Sequence, residues 1–327
     1  MKIQSASIFI LNYNGQTLLP ECLPGILNAA SHSRRRVKVV VIDNHSTDGS
    51  AVLMETIFPK TPFIRARANR FLSSFNEFVE RDDADAVVLM NNDIKVEPNF
   101  LDPLLDVFES HEDAFFTGSL CWDFDKVRYE GGLSMLDRRA GLWGTRSVLP
   151  PKLRPESGGY WLTASIGASL TIRRDRFLEL GGYDDLYLPG ILEDLDLCYR
   201  GWRKGWKGYF VPESVIYHKG QASFAPAFGS ARIRRMASRN TCFFVWKNID
   251  DPGLRFLDLL WTPARIVYAL FKNDTAFIAG ILDAWKKYAH VCRIKKSRRS
   301  ESIVSDRAIL KLFQQQKKTF SYLEKRA

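Results

Sequence analysis

No pair among the five cysteines (Cys22, Cys121, Cys198, Cys242 and Cys292) has the close spacing of a zinc knuckle or a redox motif, and their number is odd. A disulfide framework is thereby excluded, and the thiols read as reduced in a reducing compartment. No uncharged apolar run reaches the ~18–20 residues that cross a bilayer. The early run Ile8-Phe9-Ile10-Leu11 is too short for a signal-peptide core and is followed by no cleavage site. It reads as a buried first strand, and a cytoplasmic protein is expected. Glycine and proline show no period, which excludes collagen-like and low-complexity classes, and no internal repeat is evident. With 46% hydrophobic and 26% charged residues, the first 250 residues are not disordered and suffice for one large core or two smaller ones.

Acidic residues are scarce at one end. Residues 290–327 carry eleven Lys and Arg against Glu301, Asp306 and Glu324, which places +8 of the net +10 in this tail. So local an excess points to an anionic partner, either nucleic acid or a membrane.

The first 120 residues alternate strand and helix signals. Strands are expected at 7–11, 37–42, 63–66 and 84–90, and helices at 18–30, 51–58, 73–79 and 98–108. This order implies an α/β fold with a mostly parallel, doubly wound sheet, whose ligands bind outside the carboxyl ends of its strands. The polar clusters at Asn12, Asp43, Asn69 and Asn91-Asn92-Asp93 each fall just after an expected strand. Residues 121–160 read as irregular, 161–172 as a strand, 181–190 as a glycine-bounded loop and 191–204 as a helix. Short strands at 208–211 and 214–217 lead to His218.

Three places carry chemistry. Asp93, at a strand end, suits a hard cation such as Mg²⁺ or Mn²⁺ that neutralises a diphosphate, or equally a cap of the following segment. Glu193-Asp194-Leu195-Asp196 opens a helix, where the dipole favours acids, but capping explains only one or two of the three. Asp196 faces Arg200 at i,i+4 as an ion pair, which leaves Asp194, or second Glu193, as a base for an incoming hydroxyl. His218 is either structural or a third member of the same pocket.

In these blocks the chain resembles the family 2 glycosyltransferases of the GT-A fold, among them bacterial rhamnosyltransferase-like enzymes of cell-surface polysaccharide assembly. Asn12-Tyr13-Asn14 is similar to the family's first-strand motif, and residues 41–50 (VIDNHSTDGS) to its second-strand motif. Asn91-Asn92-Asp93 stands at its Asp-x-Asp metal motif. Gly181-Gly182-Tyr183-Asp184, residues 193–197, Pro212-Glu213 and His218 resemble its acceptor-side block, and Arg239-Asn240 has a counterpart. The likeness covers residues 5–250. It implies a Rossmann-like, mostly parallel mixed sheet, with a nucleotide-sugar half at 1–120, an acceptor half at 121–250 and an amphipathic helical, basic extension at 251–327. It also implies a nucleotide-diphosphate sugar donor bound by Asn12, Asp43, Asn44, Asn69, Asn76, Asn91 and Asn92. Asp93 and His218 would hold Mg²⁺ or Mn²⁺, and Asp194 would be the base of an inverting displacement, with Glu193, Asp196 and Gly190 on the acceptor side. Two positions depart from the pattern. Asn91 replaces an Asp, and Phe71, Ser74 and Phe75 replace glycines, so close backbone approach to the donor is not expected there.

In the extension, Phe256, Leu257, Leu260, Trp261, Val267, Tyr268 and Phe271 form one helical stripe opposite Arg255, Asp258, Arg265 and Lys272. Phe277, Ile278, Ile281, Trp285 and Tyr288 form a second, and residues 293–299 follow as a polybasic cluster. An interfacial helix pair on the inner face of the cell membrane is expected, serving a glycan or lipid-linked glycan acceptor. The alternative is that the stripes pack on the catalytic domain or on a second subunit, which leaves a homo-oligomer open. A nucleic-acid partner is not expected, because no recognition motif accompanies the basic residues. A nucleotidyltransferase and a sugar-nucleotide-binding homologue without activity are the remaining alternatives.

Overall fold

The computed structural model of the chain describes residues 2–220, 224–298 and 302–325. Strands β1 (Ser5–Asn12), β2 (Arg36–Asp43), β3 (Phe63–Arg65) and β4 (Ala86–Asn91) pair in parallel in the order β3-β2-β1-β4. Because side chains alternate across a strand, each apolar run feeds two cores. Ile8, Ile10, Val39, Val41, Val88 and Met90 face helices α1 (Leu19–His32) and, beyond α2 (Ser50–Ile57) and α3 (Phe75–Arg81), α4 (Leu101–Ser110). Phe9, Val40, Ile42, Val87 and Leu89 face the other side. The register sets Asn12 beside Asp43 and Leu11 beside Asn91, so the carboxyl ends of three strands finish level.

Beyond β4 the sheet is mixed. In chain order come β5 (Ile94–Val96), β6 (Ala114–Asp123), β7 (Tyr129–Gly131), β8 (Ser134–Arg139), β9 (Leu142–Ser147), β10 (Trp161–Leu162), β11 (Ser169–Arg173) and β12 (Lys207–His218). The order continues β4-β11-β6-β12-β10, with β11 antiparallel to β4 and β6, and β12 parallel to β6. The segment 121–160, expected to be irregular, contains β7 and the β8–β9 hairpin. Its two-residue turn sets both Ala140 (φ +48°) and Gly141 (φ +82°) left-handed, as a primed hairpin turn requires. Ala140 stands where Asn or Asp would have signalled that turn. The single strand expected at 161–172 is broken between β10 and β11, and the two short strands before His218 are one strand with an irregularity between Val211 and Val215.

The later helices are α5 (Arg174–Glu179), α6 (Glu193–Arg203), α7 (Phe224–Asn248, kinked at Gly229), α8 (Pro252–Phe271), α9 (Thr275–Lys286), α10 (Tyr288–Arg298) and α11 (Asp306–Glu324). Helix α11 is apolar on one face, and Ile309, Phe313, Phe320 and Leu323 enter the core that holds α6. The ring of Phe313 lies 5.2 Å from Trp202, and that of Phe320 lies 4.7 Å from Trp161. Asp306 is buried, accepts from the Tyr199 hydroxyl at 2.6 Å and from the backbone of Asp250 and Asp251, and pairs with Arg203. Lys295, from the basic cluster, is tied to Asp250 at 2.7 Å, while Arg299 lies outside the described residues.

The two apolar stripes differ in fate. Phe277 and Ile281 of α9 are buried against α8 and α7. Helix α8 is turned the other way: Asp258 and Arg265 form a 2.9 Å pair on its covered side, and Phe256, Leu260, Val267 and Phe271 face outward.

Candidate active site

The level ends of β1, β2 and β4, the segment after β3 and the start of α6 enclose a cavity of about 390 Å³. Asn44, Asn69, Asn91, Asn92, Asp93, Glu193 and Asp194 line it together with Tyr13, Phe71, Ile191 and Phe228. Seven residues singled out in the sequence therefore meet at one place. Asn12, Asp43, Asn76, Gly190 and Asp196 stand behind its wall, and His218 stands beside Asp93.

At the ends of β1, β2 and β4 the polar residues hold one another. Asn12, fully buried, donates to Ser46 Oγ at 3.1 Å and accepts from Asn92 Nδ2 at 2.8 Å, tying the ends of β1 and β4 together. Asp43 Oδ1 accepts the Ser46 N–H at 2.9 Å. Asn44 donates to Asn69 Oδ1 at 2.9 Å and accepts from Ser74 Oγ at 2.7 Å. Phe71, which replaces a glycine of the resembling family, takes φ +51°. This is the left-handed backbone that glycine adopts freely, and the Phe71 ring packs 5.9 Å from Phe228 at the cavity rim.

On the opposite side, β12 pairs with β5 so that His218 lies beside Ile94, the residue after Asp93. His218 Nε2 is 3.5 Å from Asp93 Oδ2, and the Lys219 N–H bonds the Asp93 carbonyl at 3.1 Å. Asp93 Oδ1 is buried and has no hydrogen-bond partner. A buried carboxylate oxygen left open beside an imidazole fits a hard divalent cation, whose remaining positions fall to phosphate oxygens and water. Among the described residues no group of three His, Cys, Asp or Glu side chains is placed to hold a metal ion, so a cation at this point would have two protein ligands at most, Asp93 and His218. Sequence reading missed Glu130, whose Oε2 lies 4.0 Å from His218 Nδ1. It sits in the strand β7 that was read as loop, so no pattern pointed to it.

The acids of α6 are presented by an unusual entry. Ile191 (φ +77°) and Leu192 (φ +73°) are both left-handed, a strained state for a β-branched residue. The loop is held by Asn240, which donates to the carbonyls of Gly190 at 2.7 Å and Ile191 at 2.8 Å, and by Arg239, which donates to that of Leu188 at 2.7 Å. Asp194 and Glu193 emerge half-buried in the cavity wall. Burial raises the pKa of Asp194, opposed by a hydrogen bond from Tyr183. Burial also raises Glu193, helped by the charge of Asp194, and Glu193 Oε2 has no partner. Asn76 clamps the backbone of Tyr183 on both sides, accepting from its N–H at 2.9 Å and donating to its carbonyl at 2.8 Å.

Asp196 differs from its neighbours. Burial opposes its charge, yet Lys247 at 2.7 Å and Arg200 at 2.8 Å hold it far below the ordinary range, and Tyr187 and Asn248 complete its shell. It anchors α6 and does not face the cavity.

Comparison with known proteins gives this site a family. The model of glycosyl transferase family 2 matches residues 7–181. An N-acetylglucosaminyl-diphospho-decaprenol L-rhamnosyltransferase of Mycobacterium tuberculosis is 28% identical over 260 residues, 70% of this chain and 80% of that protein. Among solved structures, GalNAc-T7 with UDP, GalNAc and Mn²⁺ superposes with a TM-score of 0.66 at 18% identity, over 96% of this chain and 56% of that one. The mannosyltransferase PcManGT from Pyrobaculum calidifontis, in complex with GDP-Man and Mn²⁺, superposes with a TM-score of 0.50 at 15% identity, over 90% and 85% of the two chains. These likenesses carry the fold, and the family model carries the membership: the chain belongs to glycosyl transferase family 2 and is a glycosyltransferase of the GT-A fold.

Proposed function

We propose that the enzyme is an inverting glycosyltransferase that moves a sugar from a nucleoside-diphosphate donor to a hydroxyl of a lipid-linked glycan during cell-surface polysaccharide assembly. The observation that carries this reading is Asp194, half-buried in the wall of the same cavity as Asp93 and hydrogen-bonded by Tyr183. A carboxylate with a raised pKa is a stronger base than a free one and is matched to a hydroxyl proton near neutral pH. Asp194 takes the proton of the acceptor hydroxyl. That oxygen bonds to the anomeric carbon from the face opposite the diphosphate, and the bond from the anomeric carbon to the diphosphate oxygen breaks with its electron pair. One base suffices, and the anomeric configuration inverts.

Asp93 and His218 would hold Mg²⁺ or Mn²⁺, whose charge offsets that of the departing diphosphate. Asn44 and Asn69 border the nucleotide side, and Asp43 and Asn12 fix the loop between them. The mycobacterial relative's name places its acceptor on a diphospho-decaprenol lipid, which supports a lipid-linked acceptor here. Such a lipid is met at the inner face of the cell membrane, so the same proposal makes the protein cytoplasmic and peripherally bound. Among the described residues no helix is long and apolar enough to cross a membrane.

A panel of nucleotide sugars, assayed for nucleoside diphosphate release with and without Mn²⁺, tests the reading. Release from one donor that rises with acceptor supports it, and release of pyrophosphate instead would assign the site to nucleotidyl transfer.

A further inference from the structure

We infer that α8 is a membrane-inserting helix that lies flat in the surface of an anionic bilayer. The inference deepens the membrane attachment proposed above and rests on it. Helix α8 is inverted relative to a helix of a soluble domain. At 100° per residue its outward side, an arc of about 200°, holds Phe256, Leu260, Trp261, Val267, Leu270 and Phe271 and no charged residue. Phe271 is 80% exposed and Val267 65%. The charged residues Asp258 and Arg265 point the other way, where they neutralise each other.

A contiguous apolar face of this kind is costly in water and marks a surface that is covered in use. The charge around it selects the cover. Residues 252–298 hold nine Lys and Arg against three Asp and no Glu, a net +6. Lys272 closes the end of the helix with its Nζ 5.9 Å over the Phe271 ring, which places a cation at the edge of the apolar arc. Lys286, Arg293 and Lys296 in the helices that follow, and Lys287 in the turn between them, are exposed. A twofold pairing of this face with a second copy would set like charge against like. Anionic lipid headgroups above an acyl boundary satisfy both the apolar arc and the cations.

The test uses the full chain, sedimented with vesicles of phosphatidylcholine alone or mixed equally with phosphatidylglycerol. The paired substitution Leu260→Glu and Val267→Glu alters exposed positions, and an unchanged Tm verifies that folding is intact. The wild type is expected to bind the mixed vesicles more tightly than the neutral ones, and the variant to lose about tenfold or more of that affinity. Wild-type protein that stays in the supernatant, or a variant that sediments equally, overturns the inference. So does a dimer in solution that the variant splits while neither protein binds vesicles. Nucleoside diphosphate release in the same samples reports separately on sugar transfer, so failure of the helix and failure of the enzymatic reading are told apart.

Discussion

The hydroxyl of the buried Tyr183 donates a 3.0 Å hydrogen bond to Oδ1 of the half-buried Asp194. That bond stabilises the charged carboxylate against the burial that raises its pKa. Tyr183→Phe removes it and leaves the ring packing against Phe75 and Phe177 in place. A hydrogen bond to a charged group contributes about 1.5 kcal/mol, so the acid limb of the kcat profile should move up by about one pH. A profile that stays in place would separate Tyr183 from the base.

Asp194→Asn keeps the shape and removes the proton acceptor. Transfer should fall by about 10²–10⁴-fold, with donor affinity, read by calorimetry, near that of the wild type. In the wild type, activity should climb as pH rises through about 7, where Asp194 loses its proton. Near-normal turnover in the Asn variant would remove Asp194 from the mechanism.

Glu193 bears on stability as well. Its pKa is raised from 4.5 to about 8, so the folded chain binds a proton there that the unfolded chain releases sooner. The stability from this group is present in full below 4.5 and is lost as pH rises through about 8. Glu193→Gln cannot ionise, and it should raise Tm on the alkaline side of that window and leave it little changed on the acid side. An equal change on both sides would contradict the assignment.

Asp93→Asn replaces the proposed ligand oxygen by an amide. Calorimetric titration of Mn²⁺ in the presence of nucleoside diphosphate should show an affinity lower by tenfold or more, on the order of the losses seen at metal sites. Glu130→Gln, through His218 Nδ1, should produce a smaller loss of the same kind. Titration curves that overlay the wild type would take the cation away from this pair.

Asp306→Ala leaves Arg203 without its buried partner. Breaking such a pair costs about 3–5 kcal/mol, so Tm should fall steeply although Asp306 lies 112 residues beyond Asp194 in the chain. A small shift would mean that α11 is not integral to the catalytic core.

Much of residues 1–120 was legible because apolar runs and polar strand ends announce themselves locally: Asn12, Asp43 and Asn91 all lie at carboxyl ends of strands. Residues 121–250 were less so, because their order comes from contacts distant in sequence. Nothing near Tyr183 reveals that Asn76 grips it or that Asn240 holds the Gly190 and Ile191 carbonyls. The β8–β9 hairpin was hidden by an alanine at a left-handed turn position. In α8 periodicity located the stripe correctly, but amphipathicity fixes only the opposition of two faces. Which face meets the protein was decided by the Asp258–Arg265 pair.

The most direct test of the central claim follows one product. The enzyme is incubated with its nucleotide-sugar donor, Mn²⁺ and a lipid-linked glycan, and the new glycosidic bond is examined by NMR. The account predicts one nucleoside diphosphate released per bond formed, an anomeric configuration opposite to that of the donor, and loss of both in Asp194→Asn. Retained configuration, or full bond formation by the Asn variant, would contradict it.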